Sequence, residues 1–327
     1  MASTVHGTQP SNSAKVQDTI LAGNDQLPCP PFINVEGVPN FRDLGGHRCI
    51  LDDTKIVRSL RTGYLFRCAQ PAHITSTGID TLTTTLNIHD TYDLRSSKEI
   101  RLMSIRYPDL SQEISGVTRH HVPIYRDEDY TPISMAEKYQ QTIDPTQYNE
   151  PIKAGFVRAY EDILEQAARS GSYRTILLHI LERPQAPLVF HCTVGKDRTG
   201  VFAALVLKLC GVGDEAVVWD YALTTKGLGK WREHLIKRIM DGAGTEYANK
   251  STDEVAMPAK KLPTREEAER MVGSHAEDMK AFLGVLEEEF EGARLYFRDR
   301  CGFTDAELDR VVEILTVEGE GLDFPIS

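Results

Sequence analysis

The sequence predicts an α/β fold, in which a central, mostly parallel and twisted sheet is flanked by helices and followed by a helical C-terminal region. Ile79, Leu82 and Leu86 lie at helical spacing just before an apolar strand candidate at 88–94. Helix followed by strand is the unit from which parallel sheets are built. A second apolar strand candidate, 188–190, opens directly onto a glycine-containing loop and an apolar helix. The final third of the chain has helical periodicity.

The first elements follow from composition and turn residues. Residues 1–31 predict a disordered leader, because they are polar and end in Pro28-Cys29-Pro30-Pro31. We expect a single domain over 32–320, since no internal repeat is visible. Within it, Gly45-Gly46 predicts a turn and Tyr64-Leu65-Phe66-Arg67 a short strand.

Two polar stretches, near 125–150 and 241–263, interrupt this domain. An unstructured stretch of this length in a compact domain is usually a lid or a binding loop, so we expect two lid-like insertions. Thr304 and Glu307 form a capping-box pattern before the last helix. The other helices predicted after residue 150 span 156–168, 199–211, 214–223 and 229–240.

The charge balance argues against a nucleic-acid partner. The 327 residues carry 37 basic and 48 acidic side chains, a net charge of −11. A nucleic-acid-binding body is usually basic on at least one face. A small anionic ligand stays compatible with this charge, because a phosphate pocket needs only a few local donors.

The location predicted from the sequence is cytoplasmic. No apolar stretch approaches the roughly 18 residues that a membrane span needs, so no stable membrane insertion is expected. Met1 to Gln17 has no charged start followed by an apolar block, as a secretory signal would. The six cysteines form no C-x-x-C pair, and in a reducing compartment they are expected to be free thiols.

The segment with the clearest chemistry is His191-Cys192-Thr193-Val194-Gly195-Lys196-Asp197-Arg198-Thr199-Gly200. An apolar strand precedes it, and an apolar helix follows it. Five residues between Cys192 and Arg198 let the loop curl so that its backbone N–H groups converge at a helix N-terminus, where orphan donors and the helix dipole favour an anion. The sequence therefore predicts a strand–loop–helix cradle for a phosphate group.

Each position of this loop has an expected task. The field that binds an anion also favours the thiolate of Cys192, which makes it a nucleophile. Arg198 offers a planar fork that grips two phosphate oxygens. Thr199 is expected to donate its hydroxyl to the Cys192 sulfur. Lys196 is expected to add positive charge at the pocket rim, with a solvated loop lysine as the alternative. The expected substrate-binding residues are Thr193, Val194, Gly195, Lys196 and Thr199, with Gly195 allowing the tight turn.

These residues resemble a known family. His-Cys-x-x-Gly-x-x-Arg-Thr-Gly is similar to the signature of the protein tyrosine phosphatase superfamily. Gly-Lys-Asp-Arg-Thr-Gly, together with Asn40-Phe41-Arg42-Asp43-Leu44-Gly45-Gly46, resembles its tyrosine/serine phosphatase branch in bacteria and fungi. Leu65-Phe66-Arg67-Cys68-Ala69 and Asp93-Leu94-Arg95-Ser96 are also similar to that branch, which more often has Ser where this chain has Cys68.

The resemblance covers roughly residues 32 to 316, apart from the insertions. It implies a protein tyrosine phosphatase-like fold with a parallel sheet, and neither a metal nor an organic cofactor. It also implies hydrolysis of a phosphomonoester through a phosphocysteine intermediate on Cys192.

A general acid is needed to protonate the leaving oxygen. The chain has no Trp-Pro-Asp tripeptide, which carries the acid in many tyrosine phosphatases. The resemblance implies that Asp197, inside the phosphate loop, takes this role. The alternatives are that Asp197 only braces the loop and that Asp127 or Asp129, on the predicted 125–150 lid, is the donor.

Five further residues are expected to support the loop. His191 is expected to orient it from behind by hydrogen bonding. Arg42 and Asp43 lie beside Gly-Gly, where a charged pair is more often a brace than a ligand. Asp93 and Arg95 end a strand at the edge where ligands bind in α/β sheets, so they support the loop or touch substrate.

The leading function is hydrolysis of phosphotyrosine, with phosphoserine and phosphothreonine also open. The first alternative substrate is a phosphoinositide or inositol phosphate, so the expected partner is a phosphorylated protein or a phosphoinositide. A phosphate-binding pseudophosphatase and a sulfurtransferase are the alternatives from other classes. Thiolate chemistry also predicts reversible inactivation by peroxide, with Cys49 or Cys68 as possible resolving thiols.

Overall fold

The computed structural model describes residues 27–51, 56–126, 155–241 and 262–325. Most of the two predicted insertions, together with Asp127 and Asp129, lies outside these residues. Pro28 O accepts a hydrogen bond from the Phe32 amide, and Pro31 O accepts one from the Asp43 amide. Pro28 and Pro31, at the end of the predicted leader, are therefore hydrogen-bonded to the residues that follow.

A five-stranded mixed sheet forms the centre of the domain, with the order β1-β4-β7-β5-β6. β1 pairs with β4 in antiparallel orientation, and the other neighbours are parallel. The predicted, mostly parallel sheet is thus confirmed. Its strands are β1 (Arg42–Asp43), β4 (Leu65–Cys68), β5 (Asp90–Asp93), β6 (Thr118–His121) and β7 (Leu188–His191).

A small antiparallel sheet, not predicted from the sequence, lies beside the main one in the order β2-β3-β8. Its strands are β2 (Arg48–Cys49), β3 (Arg58–Leu60) and β8 (Thr316–Glu318). Strands of two or three residues are too short to produce an alternating pattern, which explains why the sequence analysis missed them.

The first helices begin at side-chain caps. The Gly78 amide donates to Thr75 Oγ1 at 3.1 Å, and Ser96 and Glu99 form a capping box. The first five helices of the described ranges are α1 (Ser76–Asp80, continued by a π-turn at Thr81–Thr85), α2 (Ser97–Arg106), α3 (Gly155–Ser170), α4 (Ser172–Glu182) and α5 (Asp197–Leu209).

Two of the remaining described helices precede the second predicted insertion, and the four after it form the predicted helical C-terminal region. The Thr304–Glu307 capping box is present at the start of the last helix, as predicted. These helices are α6 (Asp214–Gly227), α7 (Trp231–Met240), α8 (Arg265–Val272), α9 (Ala276–Phe290), α10 (Gly292–Leu295, continued by a π-turn at Tyr296–Arg300) and α11 (Asp305–Leu315).

Helices cover both faces of the main sheet. On one face, Leu65, Leu188 and Phe190 belong to the largest buried cluster, which they share with apolar side chains of α3, α4, α5, α9 and α11. On the other face, Phe66 and Val189 pack with Leu82 and its neighbours. Alternate residues of each strand face opposite layers, as strand geometry requires. None of the described helices has the length and apolar character needed to cross a membrane.

Candidate active site

The predicted cradle lies where β7 ends and α5 begins. Strand β7 ends at His191, Cys192 is buried with 2% of its surface exposed, and α5 begins at Asp197. Gly195 has a φ of +70°, a conformation that side chains rarely adopt. A Cβ atom at this position would lie 2.2 Å from the backbone oxygen of Cys68. The loop therefore requires glycine here for both conformation and space.

The carbonyl groups of the loop are held from outside. Gln70 N donates to Thr193 O at 3.2 Å, and Arg67 Nη2 donates to Gly195 O at 2.8 Å. Asn40 Nδ2 donates to Gly195 O at 3.3 Å and to Val194 O at 3.4 Å. In a trans peptide the N–H points opposite to the C=O. The amides that follow, those of Val194, Gly195 and Lys196, therefore point toward the interior of the loop.

Arg198 is clamped by Glu99, a residue that the sequence analysis missed. Nη1 and Nη2 of Arg198 donate to the two carboxylate oxygens at 2.6 and 2.7 Å. Thr193 Oγ1 donates to Glu99 Oε1 at 3.0 Å, and the Ser96 amide donates to Oε2 at 2.8 Å. Burial opposes ionisation of Glu99, but Arg198 outweighs it and lowers the pKa of the carboxyl. Glu99 thus fixes the plane of the guanidinium and one loop side chain together.

Asp93 and Arg95 form a second ion pair behind the loop. Arg95 Nε and Nη2 donate to the carboxylate at 2.8 and 2.7 Å, and Arg119 Nε adds a contact at 3.1 Å. Although burial favours the neutral acid, Arg95 holds the pKa of Asp93 well below its usual range. Arg95 Nη1 also donates to Gln70 Oε1 at 2.9 Å. The backbone N–H of Gln70 donates to Thr193 O in the loop, so the Asp93–Arg95 pair supports the loop indirectly.

His191 is the last residue of β7 and directly precedes the loop. Its Nδ1 is 3.2 Å from Cys192 O and 4.0 Å from Asp93 Oδ1. Burial lowers the pKa of His191 to about 4, against the opposing effect of Asp93. The imidazole is therefore neutral at pH 7 and holds the loop by a hydrogen bond.

Arg42 belongs to a buried ionic brace, whereas Asp43 does not. Asp220 on α6 accepts from Arg42 Nε at 2.8 Å and from Arg67 Nη1 at 2.5 Å. Burial opposes ionisation of Asp220, but the two arginines lower the pKa of its carboxyl to about 2. Asp43 instead accepts from the amides of Gly45 and Gly63, at 2.8 and 2.6 Å. The Arg42 brace reaches the loop through Arg67, and Asp43 stabilises the turn.

Lys196 is buried, whereas the sequence predicted a positive charge at the rim of the pocket. The residue is 1% exposed, and Nζ donates to Met271 O at 2.6 Å and to Gly273 O at 3.1 Å, at the C-terminal end of α8. Nζ also lies 4.7 Å from the centroid of the Phe156 ring. A helix C-terminus attracts cations, so α8 holds the ammonium group within the protein.

Asp197 and Thr199 face different surroundings. The Asp197 side chain is 19% exposed and lies 3.4 Å from Lys196 Nζ. Tyr160 donates its hydroxyl to Asp197 Oδ1 at 2.9 Å. Thr199 Oγ1 is buried and makes no hydrogen bond in the described chain, so the predicted donation to Cys192 is not formed here.

Of the two candidate resolving cysteines, Cys68 lies next to the strand that leads to Cys192. In the parallel pairing of β4 and β7 it is the register partner of His191. Cys49 ends β2 in the small sheet, where it bridges to Val212. Within the described ranges, no group of three or more His, Cys, Asp or Glu side chains is placed to hold a metal ion.

Comparison with known proteins gives three matches. A model described as "Tyrosine phosphatase family" matches residues 33–317. "Triple specificity protein phosphatase PtpB" of Mycobacterium tuberculosis (strain ATCC 25618 / H37Rv) is 28% identical over 293 residues, covering 85% of this chain and 97% of that protein. A "Tyrosine-protein phosphatase" of Nostoc commune is 27% identical over 139 residues, 42% of each chain. The first match spans nearly the whole domain described above.

Proposed function

The chain belongs to the tyrosine phosphatase family, as its motifs predicted, and on this premise we propose that it hydrolyses phosphotyrosine, and also phosphoserine and phosphothreonine, through a phosphocysteine on Cys192. The observation that carries the proposal is the loop geometry. Three amides, those of Val194, Gly195 and Lys196, point inward between a buried thiol and the clamped Arg198. Preorganised donors of this kind stabilise a transferring phosphoryl group without reorganisation during the reaction.

The first step transfers the phosphoryl group to the enzyme. The thiolate of Cys192 attacks phosphorus in line, and the bond from phosphorus to the ester oxygen breaks with its electron pair on that oxygen. Asp197 gives its proton to this oxygen, and the alcohol or phenol leaves. Arg198 and the loop amides bind the equatorial oxygens throughout.

The second step returns the enzyme to its starting state. Asp197, now a carboxylate, takes a proton from a water molecule as that water attacks phosphorus. The sulfur–phosphorus bond breaks, and the thiolate of Cys192 is regenerated with inorganic phosphate as the product. No step calls for a metal or an organic cofactor, so chelators should leave the rate unchanged.

Substitution of the nucleophile and the acid tests this mechanism. We expect Cys192→Ser to abolish turnover of p-nitrophenyl phosphate and of a phosphotyrosine peptide. Rapid acid quench of the unmodified enzyme with ³²P-labelled substrate should trap label on the protein, and Cys192→Ser should trap none. Asp197→Asn should lower kcat on a phosphoserine peptide by about 10²–10⁴-fold, because its leaving oxygen needs the proton. Turnover that survives Cys192→Ser in pure protein would exclude the mechanism.

The substrate range is a separate proposal. The name of the M. tuberculosis relative, "triple specificity", supports a range wider than one phosphorylated side chain. Phosphoinositides and inositol phosphates are the second candidate class. A panel of phosphotyrosine, phosphoserine and phosphothreonine peptides and short-chain phosphoinositides, compared by kcat/KM, separates these classes. A panel in which phosphoinositides exceed every peptide would replace the leading substrate.

We also propose that the enzyme acts in the cytoplasm without inserting in a membrane or binding nucleic acid. All six cysteines are free thiols in the structure, which fits a reducing compartment. Cell fractionation with an antibody to the native protein tests this location, and recovery in the membrane pellet after a salt wash would contradict it.

A further inference from the structure

Two buried tyrosines lead from the interior to Asp197. Tyr160 on α3 is 0% exposed, and its hydroxyl donates to Asp197 Oδ1 at 2.9 Å. The hydroxyl of Tyr221, on α6, lies 2.5 Å from that of Tyr160. Two phenol groups from different helices therefore form a hydrogen-bonded chain that ends at the side chain of Asp197.

The direction of these hydrogen bonds follows from the donors available. A phenol has one proton, and Tyr160 donates it to Asp197 Oδ1. Since the Tyr160 proton lies on the bond to Asp197, the Tyr221 hydroxyl donates to the Tyr160 oxygen. A hydrogen bond polarised in this way by a second one is strengthened.

The hydroxyl of Tyr160 and the ammonium group of Lys196 both lie near the same carboxyl oxygen of Asp197. Tyr160 Oη and Lys196 Nζ lie 2.9 and 3.4 Å from Oδ1. With Oδ1 occupied as an acceptor, the proton of the neutral acid resides on Oδ2. The orientation of the carboxyl plane is set at the same time, because Tyr160 is buried and cannot follow a rotating side chain.

We infer that Tyr160, supported by Tyr221, is a positioning residue that aims the Oδ2 proton of Asp197 at the leaving oxygen. The inference rests on the proposed function, in which Asp197 is the general acid. When the ester bond breaks, the proton moves from Oδ2 to the leaving oxygen, and negative charge remains on the carboxylate. The hydroxyl of Tyr160 then stabilises this charge, since hydrogen bonds to an ionised group are the stronger ones.

The substrates that should depend most on Tyr160 are those with a poor leaving group. An acidic phenol such as p-nitrophenol leaves without help, whereas the alkoxide of a serine or threonine ester leaves only when it is protonated. Hydrolysis of alkyl phosphates therefore relies on a well-aimed acid. In this structure Tyr160 supports the activity on phosphoserine and phosphothreonine more than the activity on activated aryl phosphates.

Leaving-group dependence tests the inference. For Tyr160→Phe we expect kcat/KM on p-nitrophenyl phosphate to stay within about threefold, and on a phosphoserine peptide to fall by about 10–100-fold, the value of one hydrogen bond to a charged group. The fall should appear in kcat, with KM little changed. Asp197→Asn should show the same bias, and adding Tyr160→Phe to it should remove no further activity.

A matched control separates positioning from packing. Tyr296 also donates a buried hydroxyl to α3, but its acceptor is Leu164 O, at 2.7 Å, and not Asp197. Tyr296→Phe should affect all substrates equally. An equal loss on all substrates for Tyr160→Phe would overturn the inference and leave the proposed function standing. If Asp197→Asn itself shows no substrate bias, the proposed function fails at the acid.

Tyr221→Phe provides a second variant that does not touch Asp197. It keeps the hydrogen bond from Tyr160 to Asp197 and removes the hydrogen bond between Tyr221 and Tyr160. We expect the same bias toward loss on phosphoserine, at a smaller magnitude, in protein whose thermal unfolding stays cooperative. If Tyr160→Phe does not fold, this variant decides, and an unbiased loss in it would overturn the inference.

Discussion

Glu99 and Arg198 form a bidentate ion pair in which both carboxylate oxygens accept from the guanidinium, at 2.6 and 2.7 Å. The same carboxylate accepts from the Thr193 hydroxyl and caps α2. One side chain thus joins the N-terminus of α2, Arg198 and the loop that begins at Cys192. The orientation of Arg198 is therefore fixed before substrate arrives, which is the condition for effective charge stabilisation.

Glu99→Gln should lower kcat/KM for p-nitrophenyl phosphate by about 10–100-fold, because it replaces one charged acceptor by an amide donor facing Arg198. Steady-state kinetics measures this loss. Glu113→Gln is the control, since Glu113 pairs with Arg119 but its side chain is 68% exposed. If both variants keep full activity, the clamp has no catalytic importance.

Gly195→Ala should remove most activity. The new Cβ would meet Cys68 O at 2.2 Å, and the φ of +70° would strain the residue. A displacement of about 1 Å in a catalytic group costs about 100-fold in rate, and we expect at least this loss. Gly284→Ala, in α9, adds a methyl that meets no atom within 4 Å apart from its neighbours and the backbone of its own helix, and it should stabilise the protein by about 0.5–1 kcal/mol. Activity retained in Gly195→Ala would show that the loop adapts.

Asp220→Asn should destabilise the fold by about 3–5 kcal/mol, because it leaves Arg42 and Arg67 buried without their shared counter-charge. Urea unfolding measures this change. Glu313→Gln removes an exposed pair with Arg310 and should change stability by less than about 1 kcal/mol. Equal stabilities of the two variants would show that the ion pairs of Asp220 with Arg42 and Arg67 do not stabilise the fold.

The free energy of unfolding should fall as the pH is lowered from about 6.5 toward 4. Burial lowers the pKa values of His191, His73 and His234 to about 4, from an ordinary value of 6.5. Within this window the unfolded chain binds more protons than the folded one, so stability rises with pH. The fully buried His191 contributes roughly 3 kcal/mol to this change. The pKa of Asp220 is about 2, so its ion pairs persist throughout the window.

Urea unfolding at pH 7.0, 5.5 and 4.5 checks this dependence. His191→Gln should make the slope shallower. A stability that stays constant between pH 7.0 and 4.5 would show that these histidines titrate alike in both states.

Local patterns predicted much of the fold. The helix before β5, the strand before the loop and the Thr304 capping box were all correct, because each depends on neighbouring residues alone. The edge strand β6 was missed, since its sequence Thr118–His121 is polar and its sides are partly exposed. An edge strand is held by backbone pairing, which leaves no periodic signal.

The sequence indicated the loop of the candidate site, but it did not indicate several of the residues that contact this loop. The spacing of Cys192 and Arg198 encodes the loop, so the sequence indicated both. Glu99 and Tyr160 carry no local sign of their contacts, although the Ser96–Glu99 capping box marked the helix on which Glu99 lies. The burial of Lys196 depends on where α8 ends, which only the tertiary structure determines.

The braces on the loop come from distant parts of the chain. Asn40, Arg67 and Glu99 reach Gly195 or Arg198 across 155, 128 and 99 positions of sequence. Such nonlocal contacts form late, because the intervening chain must first be ordered. Recovered catalysis during refolding therefore reports completion of the whole domain. A fragment beginning after Glu99 would retain all ten motif residues without the groups that shape them.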